Sequence, residues 1–144
     1  MRIGTRCDEA ALDTHIWLWR ELEPSRMRGS IARALANPNN ELWLSPVSAW
    51  ELLLLVERGR IELDRTVAEW VNLSMANEGY RTAPLTVEVA LAAAQVQLEH
   101  CDPADRLLAA TARSYDLVLV TTDERLAGGR GYARLRWRGE SGAE

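Results

Sequence analysis

Carboxylates stand at four positions where a strand ends or a helix begins. Asp13 follows the apolar run Ala10-Ala11-Leu12, and Glu51 lies in the first turns of a helix opened by Ser45-Pro46. Asp102 and Asp105 open the helix before Leu117-Val118-Leu119-Val120, and Asp123 follows that run and two threonines. Carboxylates ~5 Å apart repel by roughly 3 kcal/mol per pair at an effective dielectric of ~20. A fold that gathers such acids does so for a cation or for proton sharing. Oxygen-only ligands suit Mg²⁺ or Mn²⁺ rather than zinc. A divalent ion so held activates water and stabilises charge on a phosphodiester, which makes metal-assisted phosphodiester hydrolysis the matching reaction class.

Competing chemistries are poorly represented. The two histidines, His15 and His100, join no cysteine or serine constellation. Asp13-Thr14-His15 is not a nucleophilic triad, and no serine has a Gly-x-Ser-x-Gly setting. All 17 basic residues are arginine, which excludes a Schiff-base or P-loop lysine. Gly128-Gly129-Arg130-Gly131 lacks the strand before and the helix after that a phosphate-binding turn needs, and reads as a surface loop. Each acid also has an ordinary structural reading. Asp13 and Asp123 could cap helices, Glu51 could be solvated, and Asp102-Pro103-Ala104-Asp105 is a helix start in its own right.

The elements that must position these acids alternate in period. Short strands are expected at Ala10–Leu12, Glu41–Ser45, Leu117–Val120 and Ala133–Trp137, with an extended stretch at Arg81–Leu85. Helices are expected at Ile16–Leu22, Ser30–Ala36, from Pro46 to Gly59, at Thr66–Met75, at Val87–Leu98 and from Pro103 onward. In the Thr66 helix, Val67, Trp70, Val71 and Met75 share one face. Alternating strands and helices imply a three-layer α/β/α sandwich on a mostly parallel sheet. Ligands of such sheets bind beyond the carboxyl ends of the strands, where strand order reverses.

Composition fits one globular domain over residues 1–138 with a disordered tail at 139–144. The chain has 144 residues, 47% hydrophobic and 26% charged. Its net charge of −4 supplies no global basic field for nucleic acid. There is no ~20-residue apolar run and no apolar signal core near the N-terminus, so the expected compartment is the cytosol. Cys7 and Cys101 fit neither a disulfide scaffold nor a zinc knuckle.

Four segments in order resemble a known family. They are Leu12-Asp13-Thr14-His15, Ser45-x-x-Ser48-x-Trp50-Glu51-Leu52, His100 to Ala112 and Leu119-Val120-Thr121-Thr122-Asp123. Together they look like a PIN domain, and within that family like the VapC-type ribonuclease toxins. The likeness runs from about Leu12 to Trp137. It implies a five-stranded sheet of order 3-2-1-4-5, with Asp13, Glu51, Asp105 and Asp123 as the metal-binding and catalytic acids. It also implies Mg²⁺ (or Mn²⁺) dependence, RNA cleavage, a cognate VapB-like antitoxin and a homodimer. The alternative is a non-catalytic PIN-like module that binds metal or protein, and a DNA-directed nuclease is a third reading. Arg106 could hold a carboxylate or phosphate, or be a salt-bridged helix residue. Thr14, Thr121 and Thr122 could orient ligands or merely cap. His100 is expected to cap or pack, and the tryptophans to be mostly core or interface. The apolar helices Ile16–Leu22 and Val47–Val56 could form a groove for an antitoxin helix.

Overall fold

A computed structural model describes residues 9–98 and 102–136. The strands are β1 (Glu9–Leu12), β2 (Glu41–Leu44), β3 (Arg81–Thr82), β4 (Val118–Thr121) and β5 (Ala133–Arg136). They form one sheet in the order β3-β2-β1-β4-β5, parallel throughout. The helices are α1 (Thr14–Leu22), α2 (Gly29–Ala36), α3 (Pro46–Glu57), α4 (Val67–Glu78), α5 (Val87–Ala92), α6 (Pro103–Ser114) and α7 (Glu124–Ala127). This is the expected α/β sandwich and strand order.

The side-chain period of two divides the core. Ala10, Leu12, Val118 and Val120 face one layer with Ile16, Trp17, Ile31 and Leu52. Ala11, Leu117 and Leu119 face the other with Leu108, Ala112 and Leu126. Parallel strands covered on both faces must be apolar on both, which is why β4 is buried at every position. Val67, Trp70, Val71 and Met75 of α4 pack together on the first layer, as their spacing predicts. Thr66 and Glu69 close a capping box at the start of α4, and Gly79, at φ +69°, ends it.

Several expectations change. The Val87–Leu98 helix stops at Ala92, becomes a 3₁₀ turn over Ala93–Gln95, and Gln97 pairs antiparallel with Arg130. Three tertiary bonds override the alanine-rich propensity. Arg106 Nη2 donates to the Ala93 carbonyl at 2.7 Å, and Gln97 exchanges two 2.9 Å backbone bonds with Arg130. The glycine run is therefore no mere surface loop, and Gly129 is buried. The Arg81–Leu85 stretch pairs as a strand only at Arg81 and Thr82. Among the tryptophans, Trp17 is buried and donates Nε1–H to Ser74 Oγ at 3.1 Å, but Trp50 is 52% exposed. Trp137, His100, Cys7, Cys101, the boundary at 138 and the tail lie outside the described residues. Among the described residues, no helix is long and apolar enough to cross a membrane.

Candidate active site

The chain leaves β1 toward β2 on one side and reaches β4 on the other, so the switch point lies between β1 and β4. Asp13 sits there. Its N–H continues the ladder to the Val120 carbonyl at 3.0 Å, and its own carbonyl accepts the Trp17 N–H at 3.1 Å. It is the residue preceding α1, yet its side chain makes no cap bond. The carboxylate turns to the strand ends instead, where Oδ2 accepts the Thr121 hydroxyl at 2.8 Å. That hydroxyl oxygen accepts the Asp123 N–H at 2.9 Å. Thr121 thus ties the two acids at neighbouring strand ends through one atom.

Glu51 arrives from α3. Ser45 caps that helix by accepting the Val47 N–H, and Pro46 supplies its first turn. Glu51 stands in the second turn of α3, part-buried and held by hydroxyls. Thr14 Oγ1 donates to Glu51 Oε1, and Thr14 Oγ1 lies 2.8 Å from Ser48 Oγ. Thr14 has one hydroxyl hydrogen, already given to Glu51, so Ser48 donates to Thr14. Fully buried Ser48 thereby orders the chain Ser48–Thr14–Glu51. Asp105 enters from α6. Asp102 caps this helix, its Oδ1 accepting the Ala104 N–H at 2.9 Å and the Asp105 N–H at 3.5 Å. The two acids at the helix start are thus separated in role, with Asp102 exposed and Asp105 buried.

Electrostatics joins three of the four acids. Burial pushes the Asp13 carboxyl from the ordinary 3.8 to about 6, and Asp105 and Glu51 add to the rise. The Thr121 hydrogen bond and His15 oppose it. Burial also raises Glu51, with Asp105 and Asp102 contributing and the Thr14 hydrogen bond opposing. Asp123 is half-buried and reaches the group through Thr121. The arrangement is open: among the described residues no three His, Cys, Asp or Glu side chains close into a metal-holding group. In donor type the site still fits a hard cation, since Asp13, Glu51 and Asp105 and the surrounding hydroxyls of Thr14, Ser48 and Thr121 offer oxygen alone.

Two expectations are refined. Thr14 and Thr121 orient acids rather than cap helices. Arg106 holds the Ala93 carbonyl of the turn beside α6. Two contributors are hard to find from sequence. Ser48 is marked only by its place in the family motif. Tyr132, whose hydroxyl feels both Asp105 and Asp123, carries no signal beyond the glycines before it.

Comparison with known proteins agrees with this fold. Residues 10–129 match the PIN domain family. Ribonuclease VapC22 of Mycobacterium tuberculosis (strain ATCC 25618 / H37Rv) is 37% identical over 116 residues, covering 80% of this chain and 87% of that protein. VapBC2 from Rickettsia felis, crystallised bound to a DNA fragment from its promoter, is a structural neighbour with a TM-score of 0.66 and 15% identity. That match spans 90% of this chain and 99% of the other. FitAcB from Neisseria gonorrhoeae matches with a TM-score of 0.56 and 21% identity, over 88% of this chain and 96% of the other. Matched along most of its length by the family and by a ribonuclease of the same type, the chain belongs to the PIN-domain family, in its VapC branch.

Proposed function

We propose that the protein is a divalent-metal-dependent endoribonuclease and the toxin half of a toxin–antitoxin pair. The carrying observation is Asp13, buried at the switch point and crowded by Glu51 and Asp105, in a chain 37% identical to a named VapC ribonuclease. Asp13, Glu51, Asp105 and Asp123 would hold the ion, with Mg²⁺ the natural choice and Mn²⁺ a substitute. When bound, the ion supplies a polarised water and a counter-charge for the phosphodiester. The chain's own part is orientation. Thr121 fixes one oxygen of Asp13, the Ser48–Thr14 pair fixes one oxygen of Glu51, and Asp102 caps α6 so that Asp105 need not. Burial keeps these carboxylates short of solvation, so a cation gains more from them than from exposed acids.

RNA is the substrate this reading requires, and the cytosol is the compartment where it is met. A VapB-like antitoxin is the partner, as the structural neighbours include VapBC complexes. An apolar hollow of about 230 Å³ between α3 and α4, lined by Trp17, Leu44, Pro46, Ala49, Val71 and Met75, is one feature suited to an antitoxin side chain. Exposed Trp50 and Leu53 on α3 suit either the antitoxin or a second copy in a homodimer. The decisive assay is cleavage of RNA and of DNA by purified protein with Mg²⁺, Mn²⁺ or EDTA. Metal-dependent RNA cleavage lost in Asp13→Asn supports the proposal. Metal binding without cleavage of either substrate establishes the non-catalytic alternative, and cleavage of DNA alone the third.

A further inference from the structure

The glycine run 128–131 is not used by the acid chemistry, yet it is built around a buried tyrosine. A Cβ on Gly129 would lie 2.2 Å from the Tyr132 hydroxyl oxygen and 2.9 Å from the Gln97 carbonyl. Gly131 holds φ +97°, and a Cβ there would lie 2.6 Å from the Gln95 carbonyl. Glycine at 129 leaves room for the Tyr132 hydroxyl and glycine at 131 for the Gln95 carbonyl, while the Tyr132 side chain packs with Leu126, Leu108 and Val96.

From that position Tyr132 donates its hydroxyl to the Leu126 carbonyl, and Arg134 Nε donates to the Ala127 carbonyl. Arg134 also lies over the Tyr132 ring, 5.8 Å from its centroid, and donates Nη1 to the Tyr132 carbonyl at 3.2 Å. Both captured carbonyls belong to the C-terminal end of α7. A helix of four residues cannot sustain itself, because nucleation fixes several dihedrals for one hydrogen bond. Its one turn closes from the Ala127 N–H onto the Asp123 carbonyl at 2.9 Å. Asp123 is therefore held at its N–H by Thr121, and at its carbonyl by a turn whose far end is clamped.

We propose that Tyr132 and Arg134 are positioning residues for Asp123, acting through α7 without touching substrate. This rests on the reading of Asp123 as a metal-holding acid. The test is Mn²⁺ titration of the full chain by electron paramagnetic resonance without RNA, alongside thermal melts and steady-state RNA cleavage. Tyr132→Phe keeps the ring and removes only the clamp's hydroxyl; Arg134→Met removes the other donor. Each is expected to melt as a folded protein, to bind Mn²⁺ ~10–100-fold more weakly, the range for residues that orient a metal ligand, and to lose kcat with KM unchanged. Placed on Asp123→Asn, Tyr132→Phe is expected to add no further loss. If one variant fails to fold, the other carries the test. Full Mn²⁺ affinity in a folded Tyr132→Phe or Arg134→Met variant, beside an impaired Asp123→Asn, overturns the clamp alone. Full affinity in Asp123→Asn overturns the role of Asp123, and the clamp with it.

Discussion

In the metal-free protein, Asp13→Asn is expected to raise stability, and to do so only above about pH 4. Asn is nearly isosteric, and its Oδ1 can still accept the Thr121 hydroxyl that Asp13 Oδ2 accepts at 2.8 Å. What changes is the buried charge. Burial and the neighbouring Asp105 and Glu51 raise the Asp13 carboxyl from 3.8 to about 6. At 1.36 kcal/mol for each pH unit between those values, ionised Asp13 costs the folded state about 3 kcal/mol. The sign follows from the raised value. The folded state holds the proton more tightly, so the cost is nearly absent below about pH 4, builds mostly between about pH 4 and 6 and levels off just above 6. It is complete near pH 8. Urea melts of both proteins with EDTA at pH 4, 6 and 8 should show a gap that opens from near zero to about 3 kcal/mol. For a chain of this size that is on the order of 10 °C in Tm. Mn²⁺ at ~100 times its Kd should then add about 2.7 kcal/mol to the wild type and much less to the variant. A variant less stable than wild type at pH 8, or a gap that ignores pH, would refute the buried-charge argument.

Glu51→Gln should fold, lose most RNA cleavage and shrink the Mn²⁺ stabilisation; an equal Mn²⁺ shift in both proteins would remove Glu51 from the ligand set. Asp102→Ala should cost about 1 kcal/mol in urea melts, the usual loss of an N-cap, while retaining most cleavage. Asp105→Asn should melt as a folded protein and lose activity by more than the ~10–100-fold typical of residues behind a metal ligand; the opposite pattern would reverse the two roles. Expression of the wild-type chain without an antitoxin should arrest bacterial growth and Asp13→Asn should relieve it, with unchanged arrest by the folded variant counting against Asp13.

Local chemistry made much of this readable before folding. Ser45-Pro46, Thr66 with Glu69, and Asp102-Pro103 are helix starts because their side chains and rings satisfy or omit the first N–H groups, whatever lies around them. The unbroken apolar β4 run could only be a strand covered on both faces. The acids were visible as boundary residues for the same reason, and Asp105 was singled out from Asp102 through the resemblance. Strand order is another matter, since periodicity says which residues face a core but not which strands adjoin; it was reached by resemblance. Tertiary structure alone decided the remainder. Alanine propensity favoured helix through residue 98, but the Arg106 bond to Ala93 and the pairing of Gln97 with Arg130 ended it early. Apolar character assigned the tryptophans to core or interface without saying which, and the fold put Trp17 in the core and left Trp50 exposed on α3. Thr14 joins Ser48 and Glu51 of α3 from 34 and 37 residues away, gaps of chain that no local pattern spans. Such partners become readable only when the sheet has closed, because a hydrogen bond depends on where two atoms stand and sequence spacing constrains that only within an element.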